Sequence, residues 1–176
     1  EIYYQQIGDA VPTRLTVNTQ NDSDPQVSGD YIVWQGYDDI DEDFEIYYHN
    51  LGTGFTENLS DNDRPDEKPA IDGTRVVWRH HDGEDWEVFY REIGSQLPAS
   101  NVSDNDFDDW VAEVSETLVV WRGNDSPNPN SNDIEVYAAT VRPPEQLLTL
   151  TLEIVGDLRI EPDEVFFLDI FDPELA

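Results

Sequence analysis

The tract Asp43-Phe44-Glu45-Ile46-Tyr47-Tyr48 returns as Asp85-Trp86-Glu87-Val88-Phe89-Tyr90 and again as Asp133-Ile134-Glu135-Val136-Tyr137. A shortened copy, Glu1-Ile2-Tyr3-Tyr4, opens the chain. Trp34, Trp78 and Trp121 recur in step, 44 and 43 residues apart. A repeat of this length is one supersecondary unit that cannot bury its own faces and must stack on its neighbours. The period therefore decides the fold class, and function is to be sought on the loops between strands. Opening inside a strand pattern, with neither methionine nor a signal peptide, the chain reads as a mature or excised piece of something longer.

Each unit carries a proline or its equivalent (Pro25, Pro69, Ala112) and then a turn (Ser28-Gly29-Asp30, Asp72-Gly73-Thr74, Ser115-Glu116-Thr117). A strand ending in tryptophan follows, then an acidic or Asn/Pro-rich turn, then the Asp-Φ-Glu strand, and a polar stretch at Leu15-Thr16, Leu59-Ser60 or Val102-Ser103. The residues are β-branched and aromatic between Gly, Pro, Asn and Asp punctuation, with no useful 3.6-residue periodicity, so the expectation is all-β with essentially no helix. Val76 and Trp78 alternate with Val77, so the tryptophan strand is apolar on both faces and belongs between two packed sheets. In the Asp-Φ-Glu strand, alternation puts Glu45, Glu87 and Glu135 on a wet face, while Asp43, Asp85 and Asp133 anchor hairpin turns. Four short antiparallel strands every 43 or 44 residues read as propeller blades, with units near 1–24, 25–68, 69–111 and 112–142.

The net charge is −31, from 40 acidic and 9 basic residues, and Lys68 is the only lysine. Such a surface repels phosphate backbones and excludes nucleic acid as a partner. It attracts cations, and dense carboxylates suit calcium, although acidity can also serve only solubility or life in brine. The absence of cysteine removes disulfide and thiolate chemistry. No apolar run reaches the roughly 18 residues of a membrane helix, so no membrane insertion is expected. With 38% apolar and 11% aromatic residues, the chain has the means to build a core.

Pro69-Ala70-Ile71-Asp72-Gly73, followed by Val76-Val77-Trp78 and Asp85-Trp86-Glu87-Val88-Phe89-Tyr90, resembles the TolB-like β-propeller repeat over residues 1–141. Propellers close with about 4–8 blades. The units here are too few for a normal ring, so strand edges are expected to be left as templates for pairing with other chains. Composition shifts at Arg142-Pro143-Pro144, and residues 143–176 read as a second segment. There Leu148, Leu150, Leu152 and Ile154 alternate with polar residues, and the tract Gly156 to Pro173, with Glu161-Pro162-Asp163-Glu164 at its centre, resembles part of the Calx-β motif. That resemblance implies an immunoglobulin-like sandwich hairpin of an extracellular module. It also implies calcium ligands at Asp157, Glu161 and Glu164 with the Arg159 carbonyl, the alternative being a capped hairpin turn.

A second set of candidate ligands recurs in the repeat loops: Asp61, Asp63 and Asp66, and at matched positions Asp104, Asp106 and Asp109, with Asp108 alongside. Asp-x-Asp spacing presents oxygens to calcium, but Asn and Asp also fold back on their own backbone in turns. Asn58 and Asn101 satisfy the glycosylation triplet at equivalent positions. Acids that recur once per unit do not make the singular constellation that catalysis needs, and His49, His80 and His81 show no evident partner, so no enzyme is expected. The expected function is therefore a non-catalytic extracellular structural or adhesive protein, calcium-dependent and self-associating into oligomers or filaments by β-strand complementation. The alternative is a carbohydrate- or ligand-binding propeller of a secreted surface protein, taking surface glycans or another ligand on aromatics such as Trp86, Tyr37 and Trp110.

Overall fold

Runs such as Tyr31-Ile32-Val33-Trp34 and Arg75-Val76-Val77-Trp78 have branched and aromatic side chains that pack best on a pleated surface, and they extend until a turn residue stops them. In the computed structural model, residues 1–124 and 134–141 are described. Asp133 and the whole Calx-β-like tract, with Asp157, Glu161 and Glu164, lie outside the described residues.

The described residues are all-β, without helix, in antiparallel sheets. A two-stranded ribbon comes first, β1 (Tyr3–Tyr4) with β2 (Thr13–Arg14). The next sheet orders β3 (Asp22–Ser28), β4 (Tyr31–Asp38), β5 (Asp43–Asn50) and β6 (Phe55–Asn58) side by side. Its repeat is β7 (Asp66–Asp72), β8 (Arg75–His81), β9 (Trp86–Glu92) and β10 (Ser100–Asn101). A third sheet holds β11 (Asp109–Ser115), β12 (Leu118–Asn124) and β13 (Ile134–Thr140). These are propeller blades, as the period predicts.

The first strand of each of these three sheets carries a bulge. Register shifts between Ser23 and Gln26 and between Glu67 and Ala70, where Asp24 and Lys68 precede the prolines at φ of 52° and 57°. A bulge accommodates a proline that cannot donate to the ladder. The following tight turn needs a left-handed residue, supplied by Gly29 and Gly73 and, in the third sheet, by Glu116 at φ 51°.

Both faces of the tryptophan strand are covered, one toward each neighbouring sheet. Ile32 and Trp34 pack with Ile2; Val33, Ile46 and Tyr48 pack with Val76 and Trp78; Val77, Val88 and Tyr90 pack with Val119 and Trp121. Fully removing such side chains from water contributes about 1.5–3 kcal/mol each, so stacking of sheet on sheet is the main source of stability. The third sheet breaks the pattern on its far side. Val136 is 80% exposed, where its repeat equivalents Ile46 and Val88 are 0% exposed.

Candidate functional site

The links that join the β3–β6, β7–β10 and β11–β13 sheets in succession each close over a buried carboxylate, and the parts recur at fixed spacing. On β5, the Glu45 carboxylate accepts from the Ser60 hydroxyl and, at 3.2 Å, from the Asn62 N–H. Asn62 Nδ2 donates to Asp66 Oδ2 at 2.6 Å, and Asp66 Oδ1 accepts from the Trp78 indole and lies 2.9 Å from His80 Nδ1. One repeat later, the Ser103 hydroxyl and Asn105 N–H (2.9 Å) bind Glu87, Asn105 Nδ2 binds Asp109 Oδ2 (2.7 Å), and the Trp121 indole binds Asp109 Oδ1 (3.0 Å). The hydroxyls also accept backbone N–H groups, Ile46 to Ser60 at 2.8 Å and Val88 to Ser103 at 2.9 Å. The third strand of one sheet is thus bolted, through the linker, to the first and second strands of the next.

Glu45, Asp66 and Asp109 are fully buried, and Glu87 nearly so. Burial disfavours the charged form. It pushes Glu45 up to about 8 against the opposing bonds from Ser60 and Asn62. Burial likewise raises Glu87 and Asp109 above the usual carboxylate range, again against their hydrogen bonds. Strand alternation places Glu45 and Glu87 on a wet face; instead they are dry, because the Ser60–Asn62 and Ser103–Asn105 linkers fold over them. His80, without an evident partner in the sequence, has one in the structure: it sits within β8, 2.9 Å from Asp66 and packed on Phe89 at 4.4 Å.

The candidate calcium ligands of the loops divide between two roles. Asp66 and Asp109 are inside the bolts. Asp61 and Asp104 are exposed turn residues at φ 45° and 43°, each receiving a side-chain bond from Asn58 or Asn101 and donating its own N–H back to that asparagine. Asp63 and Asp106 are exposed as well. Among the described residues, no group of three or more His, Cys, Asp or Glu side chains converges to hold a metal ion.

At one position the repeats differ. In the β8 sheet His80 fills the space above Asp66; the equivalents are Gly36 and Gly123. There the space goes to a tyrosine ring lying flat on the tryptophan, Tyr47 on Trp34 (5.8 Å, 16°) and Tyr137 on Trp121 (5.7 Å, 22°). A Cβ on Gly123 would lie 1.9 Å from Asp109 Oδ1 and 3.2 Å from the Tyr137 ring. Gly123→Ala is accordingly expected to destabilise the fold by about 1–3 kcal/mol in urea unfolding. An unchanged midpoint would show that Asp109 is not held in place.

A cleft of about 450 Å³ opens beside the Trp34–Tyr47 pair, with Tyr37, Asp22, Asp38 and Asp39 in its wall. Of the aromatics expected at loop mouths, Tyr37 lines this cleft, while Trp86 is stacked under the Arg79 guanidinium at 4.1 Å and edge-on to His81.

No family model and no curated protein matches the chain. Solved structures do. A TolB from Agrobacterium tumefaciens matches with a TM-score of 0.54 at 17% identity, over 73% of this chain and 48% of that one. The β-propeller domain of the Trilobed protease from Pyrococcus furiosus, described as having an open velcro topology, matches with a TM-score of 0.56 at 12% identity, over 78% of this chain and 47% of that one. TolB from Acinetobacter baumannii gives 0.52 at 12% identity, over 78% and 34%. The chain spans less than half the length of each. At these identities the likeness is one of fold, and the fold is that of β-propeller blades.

Proposed function

We propose that this chain is a non-catalytic, extracellular structural or adhesive protein that works by joining blade to blade with other copies. One contrast carries the proposal. The position buried completely in two successive sheets, Ile46 and Val88, is Val136 in the third and 80% exposed, with Ile134 51% exposed on the same side of the strand. Among the described residues β13 pairs with β12 alone, whereas β5 and β9 each carry an outer strand. An apolar face beside an open strand edge is what strand addition requires. The non-catalytic assignment is supported by Glu45, Asp66, Glu87 and Asp109, buried acids that hold sheets together and recur once per unit. Calcium dependence would rest on the exposed loop carboxylates Asp61, Asp63, Asp104 and Asp106 together with the C-terminal tract.

Light scattering on the full chain is expected to show association that increases with concentration, and Val136→Asp is expected to return it to monomer without lowering its melting temperature. A chelator arm separates calcium-dependent from calcium-independent contact. A wild-type monomer at all concentrations would overturn the proposal.

A second function, ligand binding by the same blades, is favoured by the Tyr37-lined cleft between the first ribbon and the β3–β6 sheet.

A further inference from the structure

Among the described residues, one inter-sheet cleft beside Trp34 and another beside Trp78 have the same volume, about 450 Å³ each, but opposite electrostatic provision. The second is lined by Asp63 and Asp66 together with two groups that carry or can carry positive charge, Arg64 and His80. Arg64 is lodged against Gly83, where an added Cβ would come within 2.2 Å of its guanidinium, and His80 Nδ1 sits 2.9 Å from Asp66. In the first cleft, 44 residues earlier, the equivalents of Arg64 and His80 are Gln20 and Gly36. Among the described residues, its wall holds Asp22, Asp38 and Asp39 and no Lys, Arg or His.

Asp22 marks the difference. It is 7% exposed, and its Oδ2 is buried with no hydrogen-bond partner. Its equivalents Asp66 and Asp109 each have that oxygen bound by an asparagine Nδ2. Asn18, the corresponding asparagine, accepts from the Gln20 N–H at 3.2 Å, just as Asn62 accepts from Arg64 and Asn105 from Phe107, but its Nδ2 does not bond Asp22 Oδ2. The neighbouring acids are occupied, Asp38 by Ile40 N–H (2.7 Å) and the Tyr47 hydroxyl (3.2 Å), and Asp39 by Gln20 Nε2. A buried carboxylate oxygen without a donor is destabilising, and a ligand supplying the donor would relieve that cost.

We infer that the first cleft binds an organic cation, a guanidinium or primary ammonium group, whose N–H reaches Asp22 Oδ2 while its carbon skeleton rests against Tyr37 and Tyr47. Aromatic faces beside a carboxylate recognise such groups through cation–π attraction and charge-assisted bonds. A metal ion is the poorer occupant, because among the described residues no three carboxylates converge to hold one. The volume falls in the range of small-molecule sites, about 300–1,000 Å³. This site deepens the ligand-binding function and is independent of assembly.

The test titrates the full chain with N-acetylarginine amide and N-acetyllysine amide, following the Trp34 and Tyr47 resonances, with neutral N-acetylcitrulline amide and methyl glucoside as controls. At least one cation is expected to bind about ten-fold more tightly than citrulline amide, a difference of one charge-assisted bond. Asp22→Asn is expected to abolish that preference. The combined change Gln20→Arg, Gly36→His and Tyr47→Phe copies the residues that already pack at these positions in the next repeat, and is expected to fold and not to bind. Equal binding of citrulline amide, or cation binding undiminished in the graft, would overturn the inference. Binding of the glucoside alone would also overturn it while leaving ligand binding standing; no binding by any probe would remove both.

Discussion

Trp78→Ala is expected to destabilise the fold by about 4–6 kcal/mol. Removing a buried tryptophan costs about 3–5 kcal/mol in lost packing and cavity, and Trp78 is 1% exposed between Val33 and Ile46 of one sheet and its own. The indole N–H also serves Asp66, a fully buried carboxylate, and leaving that oxygen short of a donor adds about 1–3 kcal/mol. Trp78→Phe separates the two effects. It keeps most of the volume and loses the donor, so it should cost about 1–3 kcal/mol. Urea unfolding reads both. An alanine variant within about 1 kcal/mol of wild type would mean that sheet-on-sheet packing is not what holds the array.

Stability is expected to fall as pH rises from about 5 to 8.5, the reverse of most acidic proteins with paired carboxylates. Glu45 has its folded-state value raised to about 8 by burial, and burial also raises Glu87, Asp109 and Asp43. A raised carboxyl binds more protons folded than unfolded, so its contribution is fully present below the usual carboxylate range and is lost as pH climbs through the folded value. Glu1 and Asp82 move the other way, lowered chiefly by hydrogen bonds from Arg14 and from the Glu84 N–H, but both are exposed or nearly so and contribute less. Self-repulsion from a charge of −31 acts in the same direction as the buried acids. Calorimetry in matched ionic strength should show the melting temperature dropping by roughly 5–10 °C over this range, and Glu45→Gln should flatten the slope. A melting temperature that is flat or rises with pH would refute the assignment of Glu45 as a dry acid.

The blades were legible because their signal is local. Val76, Val77 and Trp78 announce a strand covered on both faces, and the structure places them in two different inter-sheet clusters. The bolts were not legible by the same logic, since period-two alternation describes a strand and its sheet and is silent about a linker folding back. The information was nonetheless present as a spacing. Thr16-x-Asn18, Ser60-x-Asn62 and Ser103-x-Asn105 are each followed four residues after the asparagine by Asp22, Asp66 or Asp109, and twelve residues later by the tryptophan. Read as hydroxyl, amide, carboxylate and indole, the second and third of these series are hydrogen-bond chains, and in the first the amide does not bond the carboxylate. The His80-for-Gly36 exchange could be seen in an alignment of the repeats, but its meaning depends on the tyrosine that moves into the vacated space, a contact between strands.

Because every bolt starts on the third strand of one sheet and ends on the second strand of the next, the self-sufficient segment is out of phase with the visible blade. Residues 43–81 contain Glu45, Ser60, Asn62, Asp66, Trp78 and His80 without interruption. Dividing the chain between sheets would sever that set and strand a carboxylate in each half. Dividing it at the hairpin tips near residues 39–42 and 82–85 would sever none, so duplication, grafting or swapping of units should succeed at the tips and fail at the seams.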